Sequence, residues 1–211
     1  NNWCKWQGDF EHNGAFGEMP VLNSLPRFLG FVVDYSLARM IPRNEIETLF
    51  DWYRDQGNPD TFSKLNDDFL SNLEESPLKD EDGKAAKQKN FISLNSKLLG
   101  MWKPTEFAMW DRYARDGLVQ LQRGKGSPKG RRGITFFNKL NSETYKTYND
   151  FFMKVSEDRK ETLEGPMTKE SVNIRTDAKY HNAFRNRILD SYLMLEGKKI
   201  ENAKKEKQTN G

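Results

Sequence analysis

Cysteine and histidine are scarce in this sequence, and their scarcity excludes several kinds of site. The single cysteine, Cys4, cannot form a disulfide within the chain, and a lone cysteine fits the reducing cytosol, so we expect a cytoplasmic protein. The two histidines, His12 and His181, lie far apart in the sequence. Their spacing suggests no structural zinc site, and neither has the context of a nucleophilic Ser-His or Cys-His arrangement.

Long apolar runs are also missing. The most apolar stretch, residues 28–40, contains Asp34 and Arg39 and is too short to cross a bilayer, so we expect no membrane partner. No Walker loop is present, and the carboxylate pairs and triplet at 67–68, 74–75 and 80–82 have the pattern of polar surface. The sequence therefore predicts neither a metal nor an organic cofactor.

No segment alternates apolar and polar residues over the length of a strand, whereas apolar residues recur at helical spacing along most of the chain. The pattern predicts a mostly α fold with about seven helices and little or no sheet. The predicted helices cover 25–40, 43–56, a segment containing 62–73, 84–102, a segment after Pro104, a segment from Ser142, and 177–196.

Three regions follow from composition. Residues 1–20 form an irregular aromatic arm, residues 21–197 form the helical domain, and residues 198–211 form a lysine-rich tail that we expect to fray. The helical domain is either one body or two lobes, 21–80 and 84–197, with a cleft between them. In the last helix, the buried face is predicted at regular spacing, and Gly197 is expected to end the helix. The residues of this predicted buried face are Tyr180, Phe184, Ile188, Tyr192 and Leu195.

The net charge is only +3, but the positive charge is unevenly distributed. Residues 117–142 contain no acidic residue and are rich in glycine. Their basic residues include Arg123, Lys125, Lys129, Arg131 and Arg132. A glycine-rich basic loop favours contact with phosphates, which makes DNA the expected partner; the alternative is a solvated surface loop.

Lys97 and Asp111 are the charged residues with the most suggestive surroundings. Lys97 precedes two leucines, and a partly desolvated lysine can have a lowered pKa and act as a nucleophile. Asp111 stands at a helix start between Trp110 and Tyr113, where a carboxylate can stabilise a developing sugar cation. The alternative interpretation makes Asp111 a helix cap and Lys97 its ion-pair partner.

The segment 107–118, Phe-Ala-Met-Trp-Asp-Arg-Tyr-Ala-Arg-Asp-Gly-Leu, resembles part of the helix-hairpin-helix DNA glycosylase superfamily. In that stretch an aspartate opens a helix that leads to an arginine and a Gly-Leu ending. Residues 96–99 with Pro104 are similar to the abbreviated hairpin of small bacterial proteins of the 8-oxoguanine glycosylase fold, and residues 184–193 resemble their final helix. The resemblance covers about residues 85–195.

The resemblance implies a helix-hairpin-helix glycosylase fold and excision of a damaged or modified base, including a modified phage base, after base flipping. Asp111 and Lys97 would be catalytic, with or without lyase activity. Candidate base-stacking residues are Trp102, Trp110 and Tyr113. Candidate DNA-binding residues, besides those of the basic loop, are Lys103, Arg112 and Arg115. The rival hypotheses are a non-catalytic nucleic-acid-binding module and a helical protein–protein interaction domain.

Overall fold

The computed structural model describes residues 23–35, 43–55, 88–123, 142–164 and 178–209. These residues are mostly helical and contain no strand, which confirms the predicted all-α class. Their seven helices, numbered in chain order, are α1 (Leu25–Asp34), α2 (Arg43–Asp55), α3 (Gln88–Trp102), α4 (Arg112–Arg123), α5 (Ser142–Asp158), α6 (Lys160–Glu164) and α7 (Ala178–Thr209). The helix predicted around 62–73, the aromatic arm and most of the basic loop lie outside the described residues.

None of the described helices combines the length and the apolar character that a membrane span requires.

The chain divides into two compact units at Pro104. Helices α1, α2 and α3 belong to the first unit, and α4 to α7 belong to the second, except that Ser142 and Glu143 at the start of α5 group with the first. The predicted lobes 21–80 and 84–197 stay a prediction, because their boundary lies outside the described residues.

The first unit is built around aromatic contacts between α1 and α2. Phe28 is fully buried, and its ring centroid lies 5.9 Å from those of both Phe50 and Tyr53. The Tyr53 hydroxyl donates a hydrogen bond to the side-chain carbonyl of Asn95 in α3. Helix α1 begins as predicted with Pro26 in its first turn, where the missing N–H of proline costs no helical hydrogen bond.

In the second unit, α4 and α7 cross so closely that each needs a glycine. A Cβ added to Gly117 of α4 would overlap the backbone carbonyl of Leu193, and one added to Gly197 of α7 would overlap that of Tyr113. The two contacts run in opposite chain directions, so the helices are antiparallel. Two backbones in direct contact leave no room for side chains between them.

This contact corrects the predicted end of the last helix. Gly197 was expected to stop α7, but the helix continues to Thr209. A glycine that packs against a neighbouring backbone gains close contact that offsets its low helix propensity. Ion pairs at helical spacing, Glu196 with Lys199 at 2.6 Å and Glu201 with Lys205 at 3.1 Å, support the turns that follow. The residues of the expected frayed tail are therefore helical up to position 209.

The predicted buried face of α7 was also wrong in its second half. Tyr192 and Leu195 are 41% and 60% exposed. The face that packs instead includes Ala183, Asn186, Leu189, Asp190 and Leu193. The close approach at Gly197 sets the rotation of α7, and it brings a less apolar face towards the other helices.

Candidate functional site

The candidate site begins with residues 104–111, a non-helical segment between α3 and α4 that we call the lead-in segment. The sequence predicted a helix directly after Pro104 and Thr105, but α4 begins only at Arg112. The lead-in segment avoids helical structure because side chains from α5 and α7 satisfy its backbone groups. Buried backbone groups require such partners when no helix supplies them.

Side chains from α5 and α7 bind the lead-in segment at five points. Asn149 accepts the N–H of Ala108 at 2.7 Å and donates to the carbonyl of Glu106 at 3.0 Å. The remaining three bonds join Tyr145 Oη to the carbonyl of Ala108 at 3.0 Å, Tyr148 Oη to that of Met109 at 3.2 Å, and Asn186 Nδ2 to that of Pro104 at 2.8 Å. Side chains from two helices thus support the backbone that leads to Asp111.

Asp111 caps α4, as its predicted position at a helix start requires. Its Oδ1 accepts the N–H of Tyr113 at 2.7 Å, and its backbone carbonyl accepts the N–H of Arg115 at 2.9 Å. The side chain is half-buried. Within the described residues, Oδ2 accepts no hydrogen bond, so one carboxylate oxygen is committed to the helix and the other is available.

A buried polar cluster lies beneath the lead-in segment. Tyr148 is fully buried and packs its ring edge-on against Trp110, with the centroids 4.8 Å apart. Arg187 donates to the sulfur of Met109 at 3.0 Å and forms an ion pair with the buried Asp190 at 3.3 Å. Burial raises the pKa of the Tyr148 phenol well above its usual value, and the charges of Asp190 and Asp111 add to the effect. Asp111 and Asp190 therefore act on one buried phenol, which stays neutral.

A second cluster lies on the other side of Asp111, where α4 starts beside α7. The guanidinium of Arg112 and the ammonium of Lys198 both lie over the Tyr113 ring, 4.9 and 5.7 Å from its centroid. Arg112 also forms an ion pair with Glu201 at 2.5 Å. A hydrogen bond from Lys205, together with the charge of Arg112, holds the pKa of Glu201 below its usual value.

Lys97 lies in α3, in the first unit, and its side chain is buried. Its ammonium donates to Ser93 one turn earlier, at 3.0 Å to the hydroxyl and 3.5 Å to the backbone carbonyl. The Ser96 hydroxyl donates to the same Ser93 carbonyl at 2.9 Å. The lysine is thus desolvated, as its apolar sequence context predicted, and part of its hydrogen bonding is supplied within α3.

The other predicted site residues are placed as follows. Trp110 is 6% exposed and belongs to the core of the second unit. Arg115 is half-buried and pairs with Asp116 at 2.6 Å. Lys103 follows α3 directly, and its N–H donates to the carbonyl of Leu99 at 2.7 Å. The side chains of Trp102 and Arg123, and the whole of Lys125, Lys129, Arg131 and Arg132, lie outside the described residues. The stacking and DNA-binding roles stay predictions.

Sequence reasoning did not find the residues that hold Asp111 in place. Helical spacing from Ser142 places Tyr145 and Tyr148 on one apolar face, but it gives no sign of their hydrogen bonds or of those made by Asn149 and Asn186. Asparagine inside a helix was the available signal, because it is a poor helix former and is often retained for a side-chain hydrogen bond. A frayed tail from residue 198 predicts no contact of Lys198 or Glu201 with α4, whereas in the structure both contact the start of that helix.

No group of three or more potential metal ligands occurs among the described residues. Comparison of the chain with protein-family models, with curated proteins and with solved structures gives no match.

Proposed function

We propose that this chain excises a base from DNA by glycosylase chemistry, with Asp111 as the catalytic carboxylate. The observation that supports the proposal best is the position of Asp111 at the end of the lead-in segment, which five side-chain hydrogen bonds support. One oxygen caps α4 at 2.7 Å from the Tyr113 nitrogen, and the other accepts no hydrogen bond from the described residues. A carboxylate held in this way needs no rearrangement when charge develops beside it, which is the property that electrostatic catalysis requires.

In the proposed reaction the target nucleotide is rotated out of the duplex. The bond between the base nitrogen and C1′ of the sugar breaks, and the base leaves with the bonding electrons. The sugar gains the character of an oxocarbenium ion, which the Asp111 carboxylate stabilises. Water then attacks C1′ and gives up a proton, for which Asp111 is the proposed acceptor. The base anion takes up a proton from solvent, and Asp111 releases the proton it accepted, so that the products are the free base and an abasic site.

Lys97 is the proposed nucleophile of a lyase activity that would accompany base excision. The step assigned to it is Schiff-base formation with the aldehyde of a ring-opened abasic site, in which the amine nitrogen bonds to C1′ and water leaves. Burial of Lys97, which is 7% exposed, is the observation that supports this role. In the described structure, however, Ser93 accepts hydrogen bonds from the Lys97 nitrogen. The lyase step therefore requires this nitrogen to leave Ser93.

The proposal is tested by incubating the chain with DNA duplexes that each carry one damaged or modified base. Base release is followed by chromatography, and the abasic product by alkaline cleavage. We expect the wild-type chain to release at least one such base, and Asp111→Asn to reduce the rate by about 100-fold or more. Asparagine is as good a helix cap as aspartate, so the variant should fold normally.

Borohydride trapping separates the role of Lys97 from that of Asp111. If Lys97 forms the Schiff base, the wild-type chain gives a covalent adduct with DNA and Lys97→Gln does not. Base release without a trapped adduct would leave the Asp111 proposal intact and overturn the lyase step. Salt-sensitive DNA binding with no base release from any duplex would favour a non-catalytic binding module instead.

A further inference from the structure

The last three turns of α7 carry an exposed group of basic residues that the base-excision chemistry does not use. Beyond the packed Gly197, residues 198–209 are helical and almost entirely exposed. Five lysines and two glutamates lie in this part of the helix, namely Lys198, Lys199, Lys204, Lys205, Lys207, Glu201 and Glu206. A helical extension with this composition has no apolar face to bury. Burial of apolar side chains therefore does not explain why α7 continues beyond Gly197.

The basic residues nearest the candidate site are organised by α4. Lys198 and Arg112 share the Tyr113 ring, at 5.7 and 4.9 Å from its centroid. Glu201 lies between Arg112, at 2.5 Å, and Lys205, at 3.1 Å. One carboxylate thus orders two cations, while Lys198 forms no ion pair within the described residues. The group of Arg112, Lys198, Glu201 and Lys205 therefore has a net positive charge. Arg112 directly follows Asp111 in the chain.

Contacts with Tyr113 and Glu201 hold Arg112, Lys198 and Lys205 in place, which distinguishes these cations from a solvated run of lysines. A side chain held by a ring or a shared carboxylate loses less conformational entropy when it binds an anion. The guanidinium and ammonium groups remain accessible, because the side chains of Arg112 and Lys205 are 59% and 67% exposed. Ordered, accessible cations are suited to the phosphates of a nucleic acid backbone.

We propose that Arg112, Lys198 and Lys205 form a phosphate-binding surface for the DNA backbone beside Asp111, with Glu201 and Tyr113 holding them in place. The inference rests on the proposed function, since it assigns the backbone contact of the same DNA ligand. The contacts are independent of base sequence, and they place the start of α4 next to the DNA strand.

The test measures binding of a labelled DNA duplex, about two helical turns long, by fluorescence anisotropy over a range of salt concentrations. The variant is Lys198→Ala/Lys205→Ala in the full chain. The matched control is Lys146→Ala/Lys154→Ala, which removes the same charge from exposed positions on α5. All four positions are exposed, so the thermal midpoint by circular dichroism should change little, although Lys205→Ala removes the ion pair with Glu201.

Each phosphate contact contributes about 0.9 to the slope of log K against log salt. The Lys198/Lys205 variant should therefore lose about 2 from the slope and bind roughly fiftyfold more weakly at 0.1 M salt, while the control stays within about threefold of the wild type. Equal losses in variant and control would overturn the inference, because general charge would then explain the binding. Unchanged binding by the variant would overturn it too.

Failure of the proposed function has a different signature. If the wild-type chain does not bind the duplex even at low salt, DNA is not the ligand, and both proposals fall together. If the wild-type chain binds and excises a base while the Lys198/Lys205 variant keeps the full slope, only the phosphate-binding surface is wrong.

Discussion

At the scale of single residues, buried polar side chains of the second unit support the backbone that leads to Asp111. Tyr148 lies fully buried beside Asp190 and Asp111, and its hydroxyl is used to hold the carbonyl of Met109. An apolar residue of similar shape would pack as well without requiring a partner for its hydroxyl. The hydroxyl of Tyr148 therefore has a structural role, which is to support the lead-in segment. The sequence indicated its burial but carried no sign of this hydrogen bond.

The buried phenols should make stability fall at alkaline pH. Burial raises the pKa of Tyr53 and of Tyr148 well above the usual value of 10.0. In the unfolded chain each phenol ionises near that value, whereas in the folded chain it stays protonated. The free energy of unfolding is thus unaffected at neutral pH and falls by about 1.4 kcal/mol per pH unit per tyrosine above the unfolded pKa.

Urea unfolding between neutral pH and pH values above the unfolded pKa of tyrosine would measure this effect. Tyr148→Phe should lower stability at neutral pH by about 1–3 kcal/mol, because the Met109 carbonyl loses its partner, and should make the alkaline decline less steep. Tyr192→Phe is the control at an exposed position. A decline of the same steepness in Tyr148→Phe and wild type would contradict the burial of this phenol.

At the scale of elements, the packing of α4 against α7 decides several features that apolar periodicity did not predict. The periodicity located both helices, and it also located α2 and the start of α5 closely. It predicts the first helix over 25–40, whereas α1 ends at Asp34 with Tyr35 as its cap. It assigned Tyr192 and Leu195 of α7 to the core wrongly, because the contact in this part of the helix is made by two glycines and two backbones. Glycine was interpreted as a helix end at Gly197, where it permits close packing.

Gly117→Ala tests the close packing directly. On helix propensity alone the substitution should stabilise α4 by about 1 kcal/mol. The Leu193 backbone leaves no space for the methyl group, so we expect a loss of about 2 kcal/mol or more in the free energy of unfolding. Gln120→Ala, at an exposed position of α4, is the control and should change stability little. A stabilised Gly117→Ala variant would show that the helices are farther apart.

The lead-in segment is the other element that periodicity could not predict, because side chains from distant helices replace its helical hydrogen bonds. Asn149→Ala should speed amide hydrogen exchange at Ala108 roughly fivefold, as expected when a hydrogen bond worth about 1 kcal/mol is lost. Asn149→Asp keeps an acceptor for this N–H and should preserve its protection. Equal acceleration in both variants would mean that Asn149 does not hold Ala108.

At the scale of the whole molecule, the sequence predicted the all-α class and the position of Asp111 at a helix start. It could not predict the support around Asp111. The supporting side chains lie 37 to 82 positions away in the sequence from the backbone groups that they bind, and such side chains have other common uses. Lys97 and Asp111 belong to different compact units. The account therefore depends mainly on Asp111, whose surroundings are complete within one unit.

The most direct test of the central claim separates binding from chemistry. Single-turnover excision and duplex binding should be measured side by side for the wild-type chain and Asp111→Asn, on a duplex whose modified base the wild type releases. We expect equal or slightly tighter DNA binding by the variant, because a negative charge near phosphate is removed, with excision slowed by about 100-fold or more. Excision at the wild-type rate by a folded Asp111→Asn variant would contradict the proposed role of Asp111.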